Sequence, residues 1–347
     1  MSEIDSKALR HAAENNVVAL AIDRVGEGGS KGPRDHYGNW LNLDAGKDVR
    51  NGWMYHYVMS ALRAVTLLHT LDEVRAERIG VSGFSRGGVC SLLVSAVDDR
   101  IALCVPISAT GDFATTVEFE DNWILPHIIE GAGKTKESAA WRRFVESYDP
   151  LNYIEQSQAL LWIVNGAQDE YFPITSSRAL MTAGAASKRI EVIFDADHGY
   201  YGSDTGFYDM YLNTGLWRRR RGCLMKAIRA VLHGQGVLPE TPHTVFDLAS
   251  DQLRCVARID TRDPVAAVQL IFSADRAYTF RRVPMRPRLG GASAETGEWE
   301  ASVPFEGDSL AAFVEVTYSD AVGPYYLTSV PHLSEGFVPK IRPAYEP

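Results

Sequence analysis

Ile79-Gly80-Val81-Ser82-Gly83-Phe84-Ser85-Arg86-Gly87-Gly88 is the stretch on which the fold is decided. Ile79–Val81 is a short apolar run of strand type, and the residues after Gly88 read as a helix through Val97. Between them, Gly83-Phe84-Ser85-Arg86-Gly87 has the G-x-S-x-G spacing. That spacing forces a serine onto a sharp strand-to-helix turn, with glycines leaving room for close backbone approach. The hydroxyl is thereby lifted to the C-terminal edge of a sheet. Ser85 is the candidate nucleophile. The backbone N–H of Arg86, at the start of the helix, is the candidate donor to a developing oxyanion.

Strands and helices alternate on both sides of this turn. Upstream, Ser6–Ala13 reads as a short helix and Val17–Ile22 as a strand covered on both faces. A polar Gly-rich loop over Asp23–Lys47 follows, then a helix over Trp53–Leu71. Downstream, strands are expected at Ile101–Ile107, Ala159–Val164 and Ile190–Phe194, and helices at Ser176–Ala186 and Trp217–Leu232. Such alternation predicts an α/β fold, a parallel sheet with helices on both faces. The stretch 111–150 breaks the pattern and reads as an insertion of lid type beyond a strand end. From about His233 the pattern changes. A Gly/Pro-rich linker precedes short runs of period two at Leu253–Ile259, Val265–Ser273, Trp299–Val303, Ala311–Thr317 and Tyr325–Ser329. They predict a C-terminal antiparallel β-sandwich. The expected domains are 1–234, with its insertion, and 244–336.

A serine nucleophile needs a base, and the base needs an orienting acid. The strand ending at Val164 runs into Asn165-Gly166-Ala167-Gln168-Asp169-Glu170, and the one ending at Phe194 into Asp195-Ala196-Asp197-His198-Gly199. Asp169 and His198 therefore sit past consecutive strand ends, in the chain order serine, acid, histidine. Glu170 is the alternative acid. Asp197 is less suited, because neighbouring side chains usually point apart. His56 and His69 fall in a helix before the serine, and His127 in the insertion. Trp123, Phe172, Tyr200 and Tyr201 flank the expected catalytic loops and are candidates to line a substrate cleft.

The segments Leu20–Ser30, Gly80–Gly88, Gly166–Glu170 and Asp197–Gly199 resemble the α/β-hydrolase superfamily. Within it the chain is similar to acetyl xylan esterase/cephalosporin-deacetylase-like enzymes and to prolyl-oligopeptidase-like serine hydrolases. The resemblance covers about residues 6–234. It implies Ser85 as nucleophile, Asp169 as acid and His198 as base, with a small-molecule or carbohydrate ester as substrate. A peptidase, or a binding protein without catalysis, are the alternatives. In that fold two or three strands and the loop supplying the second oxyanion donor precede the helix placed here at Ser6–Ala13, so the N-terminal strands are expected to be missing. A further strand lies between those placed at Val17 and Ile79. With no such strand before Ser6, the expectation is that these two strands pair directly, or that a second copy of the chain covers the edge.

The 347 residues are 46% hydrophobic and 23% charged, in the range of globular proteins rather than disordered or fibrous ones. A net charge of −9 argues against nucleic acid or an anionic membrane as partner. Cys90, Cys104, Cys223 and Cys255 lie apart in apolar runs and read as core residues, with neither zinc nor disulfide spacing. No cofactor is implied. The Gly-rich loop after Ile22 lacks the G-x-G-x-x-G and GK[ST] patterns and reads as a structural turn, and Arg218–Arg221 as a solvated face. The first residues carry no secretory pattern, so a cytoplasmic location is expected.

Overall fold

The computed structural model describes residues 12, 14–32, 48–184, 187–198, 222–249, 251–288, 296–321 and 323–341. Four parallel strands form the first sheet: β1 (Ile79–Phe84), β2 (Ile101–Ile107), β3 (Leu160–Gly166) and β4 (Lys188–Ile193), in that spatial order. Helices α1 (Trp53–His69) and α2 (Arg86–Val97) pack beside β1 and β2. The stretch 111–150 carries α3 (Phe113–Thr116), α4 (Ile124–Gly131) and α5 (Ala139–Tyr148), and α6 (Ile174–Thr182) follows β3. Residues 222–232 are helical, with a π turn at Ile228–Leu232.

Alternation along each strand divides two cores. Cys104, Leu161, Ile163, Ile190 and Val192 join the helices α1, α2 and α4 to α6 in one apolar cluster. Their neighbours Leu103, Val105, Trp162, Val164 and Ile193 point the other way, toward Cys223, Ala227 and Ile228. Sequence-adjacent residues thus feed opposite faces, as a doubly covered parallel sheet requires. All four cysteines are buried.

The C-terminal part is a pair of antiparallel sheets. One orders β5 (His243–Ala249), β6 (Gln252–Asp260), β10 (Thr296–Pro304) and β9 (Arg286–Pro287). The other orders β12 (Gly323–Thr328), β11 (Ala311–Asp320), β7 (Val265–Ser273) and β8 (Arg281–Pro284), with β13 (His332–Leu333) against β11. Strands β7 and β11 are buried on both faces: Ile271, Ala311 and Phe313 join the first core, Leu270, Phe272 and Val314 the second. The sandwich is therefore packed against the parallel sheet. The expected linker is bound too, since Thr241 Oγ1 donates to the Lys188 carbonyl at 3.0 Å and Arg189 Nε to that of Pro239.

The expected strand at Val17–Ile22 is a correction. These residues are in no ladder, and Val18 and Leu20 are exposed. They do not pair with β1; a crevice of about 580 Å³ lies between them and the free edge of that strand. An apolar run becomes a strand only where a neighbouring strand pairs with its backbone, and among the described residues none does. The Gly-rich turn beyond is closed locally, by the Glu27 N–H on the Arg24 carbonyl (2.9 Å) and the Gly29 N–H on the Asp23 carboxylate (2.8 Å). Most of the Ser6–Ala13 helix, the start of that at Trp217–Leu232 and Arg218–Arg221 lie outside the described residues. Among the described residues, no helix is long and apolar enough to cross a membrane.

Candidate active site

Ser85 sits between β1 and α2 at φ 54°, ψ −118°, a backbone region that disfavours any side chain. Three features hold it there. The Ser85 N–H donates to the Ile107 carbonyl at 2.8 Å, tying the turn to the end of β2. A Cβ on Gly83 would collide with the Gly87 carbonyl, and one on Gly88 with Ala109. The turn is thus enforced at Gly83 and Gly88, while a Cβ on Gly87 would make ordinary contact with Tyr57. Arg86 is the first residue of α2, so its N–H belongs to the set that finds no acceptor within the helix.

His198 Nε2 lies 2.9 Å from Ser85 Oγ. Its Nδ1 lies 3.0 and 3.1 Å from the two Asp169 carboxylate oxygens. The Asp169 carboxylate is buried, and its Oδ1 also accepts the N–H groups of Tyr171 (2.9 Å) and Phe172 (2.8 Å). The acid is oriented by its own loop before the histidine is considered. Burial opposes charging of His198, but the charge and hydrogen bond of Asp169, with Glu170 and Asp197, outweigh it and raise the imidazole above its usual range.

Glu170 is not in the acid position. Its Oε2 accepts the His198 backbone N–H at 3.0 Å, and burial followed by the Asp169 charge pushes it up to about 7. The Ser108 hydroxyl donates to the His198 carbonyl at 3.1 Å. The histidine is therefore gripped at both backbone groups, by residues that sequence reasoning either assigned otherwise or missed. The positive φ of Ser108 (46°) has no sequence signal. Gly166 permits the acid and histidine loops to touch, since a Cβ there would strike the Ala196 and Asp197 carbonyls.

Aromatic rings enclose the imidazole: Tyr171 at 4.3 Å, Phe84 at 5.3 Å and Phe172 at 5.9 Å between centroids. Phe172 is 2% exposed and packs behind the histidine and against Phe113. Trp123, 37% exposed, caps α4 in the insertion. Tyr200 and Tyr201 lie outside the described residues.

Residues 45–211 match the family model described as PhoPQ-activated pathogenicity-related protein. No curated protein matches the chain. Among solved structures it is similar to acetyl xylan esterase 1 from Thermoanaerobacterium sp. JW/SL YS485, at 19% identity and a TM-score of 0.42 over 53% of this chain. The chain covers 61% of that protein's length. The acetyl xylan esterase from Paenibacillus sp. R4 gives 20% and 0.47, with 63% of this chain and 69% of that one covered. An acylaminoacyl peptidase of Pyrococcus horikoshii gives 17% and 0.38, with 51% and 28% covered. With a strained serine between β1 and α2, Asp169 after β3 and His198 after β4, the chain has an α/β-hydrolase fold carrying a C-terminal sandwich.

Proposed function

We propose that this protein is a serine hydrolase that cleaves carboxylic esters through an acyl-enzyme. The unbroken relay from Asp169 through His198 to Ser85, at 3.0 and 2.9 Å, supports this reading above any other observation. Ser85 Oγ attacks the ester carbonyl while His198 Nε2 takes its proton. The imidazolium formed is held by Asp169. The Arg86 N–H donates to the carbonyl oxygen as it gains charge, aided by the N-terminus of α2. His198 then protonates the departing alcohol, and a water molecule repeats the sequence to release the acid.

Short acyl groups, acetyl among them, are the proposed substrates, a reading supported by the rings of Tyr171 and Phe84 that close around His198. Faster hydrolysis of octanoyl than acetyl aryl esters would count against that choice. The mechanism itself is tested with a fluorophosphonate probe. Covalent labelling at Ser85, together with hydrolysis of an aryl acetate, is expected. A protein that is neither labelled nor active would be a binding scaffold instead, and one that cleaves peptides but not esters a peptidase.

A further inference from the structure

The connection from β7 to β8, residues 274–280, belongs to the sandwich but reaches the catalytic loops. It is braced internally. The Asp275 carboxylate accepts the Ser273 hydroxyl (2.7 Å), the Thr279 N–H (2.9 Å) and the Thr279 hydroxyl (2.6 Å). Arg276 and Ala277 are both left-handed, at φ 63°. Non-glycine residues hold that conformation only where their surroundings over-determine it. From this rigid turn the Tyr278 carbonyl accepts a hydrogen bond from Gln168 Nε2, next to Asp169. The backbone N–H of Gln168 donates in turn to the Ala196 carbonyl at 3.0 Å, two residues from His198. One residue thus joins the acid loop, the histidine loop and the sandwich.

The contact extends beyond this residue. Arg276 pairs with Asp121 of the insertion at 3.0 Å and donates to the Val338 carbonyl at 2.9 Å. The Arg282 guanidinium lies 4.9 Å above the Phe194 ring, where the histidine loop begins. The Thr328 hydroxyl accepts the Val192 N–H at 3.1 Å on the strand leading to that loop. Gln168 is buried and its Oε1 has no hydrogen-bond partner among the described residues. Its amide is kept at the cost of an unmet acceptor, so the Tyr278 bond is what it contributes.

We propose that the sandwich is a positioning device for the catalytic loops, with Gln168 the positioning residue that transmits its placement to Asp169 and His198. The role rests on the hydrolase reading above, yet its geometry can be read without any turnover. Asp169 is oriented by its own loop and His198 by Glu170 and Ser108. Those bonds join the two loops to each other but leave open where the acid loop stands relative to the rest of the molecule, and the Gln168 side chain sets that against the Tyr278 carbonyl.

The test is Gln168→Ala in the full chain, read by the ring ¹⁵N shifts of His198 and by steady-state kinetics. The wild type is expected to carry the proton on Nδ1 and none on Nε2. In Gln168→Ala the two tautomers should mix, and kcat should fall about 10²-fold, the usual cost of roughly 1 Å of misplacement, with KM nearly unchanged. Arg276→Ala loosens the same turn from outside the site and should mix the tautomers in the same sense, with Arg276→Lys restoring them. Wild-type tautomer shifts in both Gln168→Ala and Arg276→Ala would overturn the proposal. If the wild type proves inactive on esters, the tautomer shifts still decide it, so failure of the enzymatic reading and failure of the brace remain distinct.

Discussion

Replacing Asp169 by Asn should lower turnover by about 10⁴, for a reason the hydrogen bonds make specific. Asp169 Oδ1 receives two backbone N–H groups, from Tyr171 and Phe172, and Oδ2 faces His198 Nδ1 at 3.0 Å. In the variant the amide oxygen must stay with the two backbone donors. The opposite orientation would aim an NH₂ at both and forfeit two hydrogen bonds, about 1 kcal/mol each and more where buried. The NH₂ therefore replaces Oδ2 and donates to Nδ1. That moves the ring proton to Nε2, which then faces Ser85 Oγ as a donor and cannot take its proton. A 10⁴-fold loss corresponds to about 5.4 kcal/mol of barrier. Since both backbone bonds survive, the fold should unfold at nearly the wild-type temperature. The assay is kcat on an aryl acetate beside a thermal melt. Glu170→Gln is the control, because a glutamine oxygen can still accept the His198 N–H; it should cost less than about tenfold, the equivalent of roughly one hydrogen bond. Activity of Asp169→Asn within tenfold of wild type, or a larger loss in Glu170→Gln, would refute the reasoning.

Ser85→Ala should abolish hydrolysis with little change in stability, whereas Ser85→Gly should abolish it and stabilise the protein by about 1–3 kcal/mol, because glycine relieves the strained turn; urea unfolding of the two variants checks this. The base must be neutral to accept the serine proton, and His198 is raised from 6.5, so kcat/KM should fall as pH drops through a midpoint above 6.5, and a midpoint below that value in a pH–rate profile would contradict the assignment. Gly166→Ala should destabilise the fold by more than about 1 kcal/mol in the same urea assay, since its Cβ would meet the Ala196 and Asp197 carbonyls.

The parts of the chain that could be read in advance are those where local chemistry and tertiary demand coincide. The runs at Ile101–Ile107 and Val265–Ser273 are strands over the expected bounds, because each is buried and paired on both sides. Asp169 and His198 follow strand ends, where a parallel sheet delivers its loops to one edge. Val17–Ile22 misled because its apolarity is that of a strand, while strand formation depends on a partner that no local pattern encodes. Strand β5 escaped for the opposite reason. It lies at a sheet edge with Val245 and Leu248 exposed, so no inward-facing alternation marks it. The motif points to Gly83 and Gly87, yet steric need falls on Gly83 and on Gly88, the latter revealed only by the packing of Ala109. Contacts such as Gln168 with Tyr278 join positions 110 residues apart and leave no trace in spacing.

Asp169 and Glu170 show how two adjacent carboxylates acquire different tasks. Asp169 has two backbone donors and the imidazole about one carboxylate, and all three fix its orientation. Glu170 has one backbone donor and the Asp169 charge as a neighbour, and it is pushed up to about 7. A second full negative charge beside Asp169 would be costly where water is excluded. It would also hold His198 in its protonated form, since Glu170 is among the groups raising the imidazole. With Glu170 pushed up to about 7, part of that pull is lost near neutrality while its Oε2 still grips the His198 N–H. The two carboxyl groups thus divide their tasks by geometry: Asp169 holds the imidazole at Nδ1, and Glu170 holds the same residue by its backbone N–H. A neighbouring carboxyl that is about half neutral at pH 7 anchors the backbone of the base while placing less charge beside the imidazole than a second full anion would.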